Sequence, residues 1–250
     1  SQSIDLCSDE VNAIVEAATA IGWETNVVNA EFDPVVAGDA IRQATAAKAD
    51  GIIVFGFDCP LVSQPLAEAV DAGIQTLGVV ALDCDDPALP ETTAPLFTVD
   101  MEFDGEGEVY YSNFALDYGR DKAAIAIAAT MGEAKVMLLD VPDLVTVAKL
   151  TDGFEEGMAA CTTCEIVTTV DLTTLDQVNG VVEQKMTAAL ARHPQVTTVF
   201  QSTDGLFLTG VQTAIMNSGR AAELLVIGSE GFLSNLDAIR SGNGQKIAMA

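Results

Sequence analysis

The stretch ADGIIVFGFDCPLVSQPLAEAVDAGIQTLGVVALDCDD, residues 49–86, carries the clearest structural pattern in the chain. It contains two short apolar runs, 51–55 and 76–80, in which polar and apolar residues do not alternate. Such runs predict strands covered on both faces, as in a parallel sheet between helices. The residues between them predict a helix that ends at Gly73. The stretch therefore predicts a strand–helix–strand unit of an α/β domain.

The same alternation of apolar runs and helical patterns continues along the whole chain. Helices are predicted near 8–21, 34–44, 62–72, 109–130, 145–160, 174–192, 206–217 and up to 239, with strands near 25–28, 51–55, 76–80, 96–99, 135–139, 165–170, 196–200, 224–228 and 246–249. Two successive blocks of this kind predict an α/β fold with two doubly wound parallel-sheet lobes. We assign residues 1–101 to the N-terminal lobe, 108–243 to the C-terminal lobe, 102–107 to a hinge crossover and 244–250 to a last strand.

Acidic residues dominate the charge of this 250-residue chain. Lys and Arg number 11 against 37 Asp and Glu, which gives a formal net charge of -26. Nucleic acids and anionic membranes bind basic surfaces, so neither is an expected partner. No apolar run approaches the ~20 residues that a membrane-spanning helix needs. Because we find no signal peptide, we expect either a cytosolic chain or the mature form of an exported one.

The five cysteines fit no zinc pattern of paired CxxC units. The sequence CTTC at 161–164 follows a predicted helix, whereas a redox-active CxxC normally opens one. We therefore expect a small structural disulfide there, as in an exported protein. Cys59 and Cys84 follow neighbouring strands and could be bridged. Pairing of Cys7 with Cys59 is the alternative.

A carboxylate follows nearly every predicted strand. These residues are Asp58, Asp83, Asp140, Asp171, Asp204 and Glu230. In open α/β sheets, ligands bind outside the carboxyl ends of the strands. A carboxylate there can accept hydrogen bonds from two neighbouring hydroxyls. Each acid could instead cap a helix. Phe57, Phe207 and Phe232 lie in the same loops, where they could stack on a sugar or pack in the core.

No pattern for catalysis or cofactor binding stands out. The chain has no GxSxG, no Walker A motif and no GxGxxG between strand and helix. Its single histidine, His193, lies at a helix end, where it is expected to interact with the helix C-terminus. Asp83, Asp85 and Asp86 form a weak calcium candidate that lacks the glycine and the final Glu of an EF-hand loop. We therefore expect no enzyme activity, no cofactor and no metal.

Several short segments together resemble the type I periplasmic sugar-binding proteins, the substrate-binding components of ATP-driven (ABC) importers. AATAIGW at 17–23 and ADGIIV at 49–54 are similar to the family's helix, Gly-aromatic turn and "DGIIV" strand. Further similar segments are AGI at 72–74 followed by Asp83, GF at 153–154, the spacing Asp204, Gly210, Ala214, Gly219, VIGSE at 226–230 and IRSG at 239–242. The resemblance covers nearly the whole chain. Lys149 and Cys84 stand where the family often has arginine.

The resemblance implies two lobes that close around a sugar or polyol held in a cleft between them. Position by position, it implies that Asp83, Asp204 and Glu230 bind hydroxyls. The loop 3–7 corresponds to the family's first cleft loop. The full set of expected ligand-binding residues is Asp83, Asp204, Glu230, Asp58, Phe57, Asp140, Phe207 and Phe232. The family also has a first strand before this loop and further strands after the position of residue 250.

The resemblance also implies a monomer outside the cytoplasm, periplasmic or extracellular, with or without a lipid anchor, that delivers its solute to the membrane subunits of an ABC importer. Two other functions remain open. One is the ligand-sensing domain of a receptor or regulator, which as a repressor would need a basic helix-turn-helix before residue 1. The other is a sugar-modifying enzyme, which turnover or a bound cofactor would reveal. An amine-bearing solute is the alternative to a sugar.

Overall fold

The computed structural model describes residues 5–103 and 110–249, with side chains from residue 8 onward. The chain divides into two compact units, Ser1–Phe114 and Ala115–Ala250. Each contains one sheet of parallel strands with helices, so the predicted α/β class is confirmed. Among the described residues, no helix combines the length and the apolar character needed to cross a membrane.

The first unit has a two-stranded parallel sheet. Its strands are β1 (Gly51–Phe55) and β2 (Gln75–Val79), paired in register from Gly51↔Gln75 to Phe55↔Val79. Its helices are α1 (Asp5–Ala20), α2 (Pro34–Ala46) and α3 (Cys59–Asp71). The stretch 49–86 therefore forms the predicted strand–helix–strand unit. Its helix begins three residues earlier than the pattern at 62–72 indicated, with Pro60 in the first turn.

Two predicted strands of the first unit are absent. Residues 25–28 are exposed and have no ladder partner among the described residues, and a strand exists only when it pairs. Residues 96–99 do lie beside β2, with the Val99 amide donating to the carbonyl of Thr76 (3.0 Å). However, the backbone amides of Thr76 and Thr98 donate to each other's side-chain hydroxyls. Side-chain bonds thus replace the strand ladder.

The second unit has a four-stranded parallel sheet. Its strands are β3 (Lys135–Asp140), β4 (Glu165–Asp171), β5 (Thr198–Gln201) and β6 (Leu225–Ile227), in the spatial order β4-β3-β5-β6. The helices are α4 (Tyr111–Ala129), α5 (Val145–Ala159), α6 (Thr174–Val178), α7 (Val182–Arg192), α8 (Gln212–Asn217) and α9 (Leu233–Ser241). The strand order reverses between β3 and β5, which is the switch point where doubly wound folds bind ligands.

Three predicted elements of the second unit are interrupted. The helix at 174–192 is split into α6 and α7 around Gly180, whose φ is +70°. The helix at 206–217 begins as the π-helical turn Phe207–Val211, because the backbone at Gly210 leaves helical geometry with φ +159°. The strand predicted at 246–249 makes a single bridge among the described residues, between Ile247 and Ile227. Glycine conformations thus end helices that apolar spacing alone would continue.

The backbones of α4 and α5 are in direct contact. A Cβ atom on Gly119 would overlap the carbonyl oxygen of Leu150, and one on Gly153 would overlap that of Leu116. The next residue, Phe154, stacks on Phe200 of β5, with ring centroids 3.8 Å apart and planes 6° apart. The GF pair at 153–154 therefore sets both the helix contact and the helix–sheet contact.

Candidate functional site

Asp204 follows β5 at the switch-point edge of the second sheet, and its side chain is fully buried. The carboxylate accepts hydrogen bonds from the amides of Ser229 (2.9 Å) and Gly231 (2.8 Å). It also accepts from the side-chain amides of Gln245 (3.1 Å) and Gln201 (3.3 Å). The carboxylate is therefore satisfied by the protein itself and ties the end of β5 to the loop that follows β6.

Glu230 lies in that loop, and one of its oxygens, Oε2, accepts from the backbone amide of Asp204 (2.7 Å). Burial raises the pKa of the Glu230 carboxyl to about 7, and the nearby charge of Asp204 adds to the rise. Apart from Asp204 and its own backbone amide, we find no hydrogen-bond partner for this carboxylate among the described residues. Glu230 thus retains capacity to accept hydrogen bonds. The carboxylate of Asp204, in contrast, is already bound by donors of the protein.

Lys122 of α4 is fully buried beside this pair of acids. Its Nζ donates to the carbonyl of Gly228 (2.9 Å) and lies 4.2 Å from the centre of the Tyr118 ring. Burial lowers the pKa of Lys122 to about 8, although the charges of Glu230 and Asp204 oppose the shift. The sequence did not reveal this residue, since a lone lysine on a helix is normally exposed. The signal in the sequence is the apolar run AAIAIAA that follows it at 123–129.

Buried polar atoms without a partner lie in the same part of the second unit. Among the described residues they include Oε1 of Gln201, Oγ of Ser202 and Oδ1 of Asn235. Gln201 ends β5, and the side-chain amide of Asn235 donates to the backbone carbonyl of Asp204 (3.3 Å). Buried polar groups are normally paired, so unpaired acceptors here indicate capacity for a hydrogen-bond donor from a ligand or water.

Asp140 ends β3, on the other side of the switch point from β5. It accepts a hydrogen bond from the hydroxyl of Thr151 (2.6 Å), and burial raises its pKa. Asp171, which ends the edge strand β4, is exposed. The strand order β4-β3-β5 therefore places Asp140 between Asp171, its partner in register on β4, and Asp204 after β5.

The predicted acids of the first unit bind backbone amides. Asp58 does not cap α3, but its Oδ1 accepts from the amide of Leu82 (2.9 Å). Oδ1 of Asp83 accepts from the amides of Cys84 (2.6 Å), Leu96 (2.9 Å) and Phe97 (3.2 Å). Burial raises the pKa of both carboxyls. These contacts fix the loops after β1 and β2.

Two disulfides are present. Cys59 is bonded to Cys84, so the bridge between the two strand ends is confirmed and the pairing of Cys59 with Cys7 is wrong. Cys161 is bonded to Cys164, as expected for CTTC. Cys59, Cys84 and the carboxylate of Asp83 lie within 4.8 Å of one another, but bonded sulfurs offer no thiolate to a metal.

The calcium candidate, Asp83, Asp85 and Asp86, accepts hydrogen bonds from donors of the protein. The amide of Ala88 donates to Asp86 (2.9 Å) and the hydroxyl of Tyr110 to Asp85 (3.3 Å), in addition to the three amides on Asp83. Calcium requires carboxylate and carbonyl oxygens that converge on one point. The described contacts of these acids therefore give the acidic loop donors from its own backbone and from Tyr110.

The three phenylalanines differ in exposure. Phe207 has no accessible surface and packs in the core of the second unit, and Phe232, just before α9, is 8% exposed. Phe57 is half-buried against the core of the first unit. Packing thus accounts for Phe207, whereas Phe57 retains an accessible face. The predicted cleft loop at 3–7 lies outside the described side chains, and most of the predicted hinge at 102–107 lies outside the described residues.

Solved structures with the same fold include solute-binding proteins of transporters. A sugar-binding protein of a sugar ABC transporter from Bacillus halodurans is 20% identical, with a TM-score of 0.72, 93% of this chain covered and 72% of that one. A solute-binding protein from Agrobacterium vitis with bound α-D-tagatopyranose is 22% identical, with a TM-score of 0.69 and coverages of 93% and 74%. A 5-methylthioribose transporter protein from Thermotoga lettingae is 18% identical, with a TM-score of 0.72 and coverages of 91% and 65%.

The chain therefore spans about two thirds to three quarters of the length of these structures. No curated protein matches it in the search of curated sequences. The family profile described as "Periplasmic binding protein domain" matches residues 1–249, nearly the whole chain. This protein belongs to the periplasmic binding protein domain family.

Proposed function

We propose that this chain captures a small polar solute, a sugar or polyol, and delivers it to the membrane subunits of an ABC importer. The observation that carries the proposal is the Glu230 carboxylate at the switch-point edge of the second sheet. One of its oxygens is held by Asp204, and it keeps acceptor capacity. A solute hydroxyl is the donor that fits such a group in a partly desolvated site.

The roles of the predicted residues follow from their contacts. We assign the binding of solute hydroxyls to Glu230 and to Asp140. Among the described side chains, we find one that donates to the Asp140 carboxylate, the hydroxyl of Thr151. We assign Asp204 to shaping the site, because its carboxylate already accepts four protein donors. Asp58, Asp83, Phe57 and Phe232 remain candidates for solute contacts. Phe207 is better explained as a core residue.

The solute class is supported by what the solved relatives hold. Their structures contain D-allose, D-arabinose, allitol, tagatopyranose and 5-methylthioribose. All of these are neutral compounds rich in hydroxyl groups. The closure of two lobes around the solute and the monomeric state remain predictions from the resemblance.

We also propose a location outside the cytoplasm. Cys59–Cys84 and Cys161–Cys164 are both oxidised, and structural disulfides persist in the periplasm and extracellular space. The location agrees with the site at which an importer receives its solute.

A thermal-shift screen of the full chain tests the function. The panel contains D-allose, D-arabinose, allitol, D-tagatose and 5-methylthioribose, with spermidine for the amine alternative. A ligand at 100 times its Kd adds about 2.7 kcal/mol to the folded state, which is readily detected. We expect a shift with one sugar or polyol in the native chain, a much smaller one in Glu230→Gln, and a native-like one in Asp171→Asn.

Asp171→Asn is the matched control, because Asp171 also follows a strand but is exposed. A shift with spermidine alone would overturn the solute class. An equal shift in the native chain and in Glu230→Gln would overturn the assignment of Glu230 while leaving solute binding in place.

A further inference from the structure

The loop 228–231, which carries Glu230, is held by two side chains of α4. Nζ of Lys122 donates to the carbonyl of Gly228 (2.9 Å). The hydroxyl of Tyr118 donates to the carbonyl of Ser229 (3.3 Å) and, by a short bond, to that of Met249. Tyr118 and Lys122 are four residues apart, so they lie on the same face of the helix. One helix face thus fixes the two carbonyls that immediately precede Glu230.

The other side of the loop is held by Asp204. Its carboxylate accepts the amides of Ser229 and Gly231, one residue on each side of Glu230. A Cβ atom on Gly228 would overlap Asp204 and Gln245, so only glycine fits between these groups. The loop is therefore fixed at its carbonyls by α4 and at its amides by Asp204, and the direction of the Glu230 side chain follows from this frame.

We propose that Lys122 and Tyr118 are positioning residues for the solute site, because they hold the loop that presents Glu230 and because Lys122 sets a positive charge near its carboxylate. The inference rests on the proposed function, in which Glu230 accepts a hydrogen bond from the solute. Neither residue needs to touch the solute.

The charge of Lys122 matters because Glu230 titrates close to neutral pH. The titratable groups that interact with Glu230 are Asp204 after β5 and Lys122 and Tyr118 on α4. Burial and the Asp204 charge raise the pKa of Glu230 to about 7, and Lys122 acts in the opposite direction. Without Lys122, the carboxyl would be protonated over more of the neutral range. A protonated carboxyl loses acceptor capacity and becomes a donor.

The first experiment needs no solute. The Glu230 carboxyl is titrated by NMR in the full chain with ¹³C-labelled glutamate, and its resonance is assigned from its loss in Glu230→Gln. We expect the pKa of Glu230 to rise by about one unit in Lys122→Met. Lys122→Gln is a second neutral variant for the case that methionine is not tolerated. Lys185→Met is the control, because Lys185 pairs with Asp176 (2.7 Å) and should leave Glu230 unchanged. An unchanged or lower pKa of Glu230 in both neutral variants would overturn the proposal.

The second experiment measures affinity from pH 6 to pH 9 for the panel compound that shifts the native chain. In Lys122→Met we expect about fivefold weaker binding at pH 7 and recovery toward pH 9, because the carboxylate ionises again there. A merely structural loss would be equal at every pH, and that result would overturn the charge role. Tyr118→Phe should weaken binding by about threefold at all pH values, since it removes the hydrogen bonds to the carbonyls of Ser229 and Met249 and leaves the charge of Lys122 in place.

The two proposals fail in different ways. If no panel compound binds the native chain, the proposed function fails, and the NMR titration still decides whether Lys122 controls Glu230. If a panel compound binds and Lys122→Met binds it with the affinity of the native chain at every pH, the positioning role fails while the function stands.

Discussion

Asp204 and Glu230 follow consecutive strands of one sheet, but their carboxylates are bound in different ways. Asp204 accepts two amides of the loop 228–231 and two side-chain amides, all from the protein. Glu230 accepts the amide of Asp204 through one oxygen. A saturated carboxylate organises the backbone, whereas one with remaining acceptor capacity can bind a solute. We therefore propose that the two acids of this strand-end pair divide support and recognition between them.

Replacing Asp204 with asparagine should destabilise the second unit. The side-chain amide of asparagine would place N–H donors opposite the N–H donors that the Asp204 carboxylate now accepts. A hydrogen bond to a charged group contributes about 1.5–3 kcal/mol to stability. We expect Asp204→Asn to lower the free energy of unfolding by about 3 kcal/mol, measured by urea denaturation. Asp171→Asn, at the exposed strand-end acid, should change it by less than about 0.5 kcal/mol. Equal effects of the two changes would contradict the supporting role of Asp204.

At this scale the sequence predicted which acids follow strands but not how each is used. A strand-end Asp can cap a helix, bind a loop amide or face a ligand, and the pattern is the same in all three cases. Asp58, for example, is placed as a cap but accepts the amide of Leu82 instead. Lys122 and Gln245 were missed because each contacts the site from an element distant in sequence.

At the scale of elements, the contact of α4 with α5 depends on the absence of side chains at two glycines. A Cβ atom at Gly153 would overlap the carbonyl oxygen of Leu116. α4 carries Lys122 and Tyr118, so its position against the sheet also determines the position of the loop before Glu230. The GF pair was identified by resemblance alone. Its physical role depends on which helix it meets, and spacing along one helix does not reveal this.

Gly153→Ala should therefore destabilise the protein although alanine favours helices. The added methyl group forces the two helices apart, and overpacking of this kind costs typically 1–3 kcal/mol. We expect a loss of about 2 kcal/mol in the free energy of unfolding, measured by chemical denaturation. Gly51→Ala in β1 is the control, since its Cβ would lie 3.6 Å from the nearest atom, the carbonyl oxygen of Gln75. A stabilising effect of Gly153→Ala would refute the close helix contact.

The two disulfides should differ in their contribution to stability. The bridge Cys59–Cys84 spans 25 residues and Cys161–Cys164 only 3. On the chain-entropy estimate, the first contributes about 3–4 kcal/mol and the second about 2 kcal/mol. Replacing each pair by alanine and comparing thermal unfolding should show a larger loss for the 59/84 pair. A larger loss for the 161/164 pair would contradict this order.

At the scale of the whole molecule, the α/β class and most strands could be predicted because buried parallel strands leave uninterrupted apolar runs. The exceptions are 25–28, 96–99 and 246–249. Each has strand-like composition, but strand formation depends on a partner elsewhere in the chain. The splitting of the helices at Gly180 and Gly210 was also missed, since helical spacing continues on both sides of each glycine.

The stability of the protein should fall as the pH rises from 5.5 to 7.5. Burial raises the pKa of Asp58, Asp83, Asp140 and Glu230, the last to about 7. A raised carboxyl pKa contributes stability that is present below the unfolded pKa and is lost as pH rises through the folded pKa. In this pH window Glu230 dominates, and its contribution is on the order of 2 kcal/mol. Self-repulsion from the net charge of -26 acts in the same direction.

Urea denaturation at the two pH values measures this difference. Glu230→Gln should be less sensitive to pH over the window, because glutamine does not titrate. Above the window, Lys122 acts with the opposite sign. Its lowered pKa of about 8 gives stability that is present above its unfolded pKa and lost as pH falls through 8. A native chain that becomes more stable between pH 5.5 and 7.5 would contradict the assignment for Glu230.

The most direct test of solute capture is isothermal titration calorimetry at pH 7.5 with each sugar and polyol of the panel. Three forms of the full chain are compared: native, Glu230→Gln and Asp171→Asn. We predict saturable binding of at least one compound at one site per chain. Affinity should be at least about tenfold weaker in Glu230→Gln, a loss of about 1.4 kcal/mol, and unchanged in Asp171→Asn. No binding of any sugar or polyol by the native chain, or equal affinity in all three forms, would contradict the account.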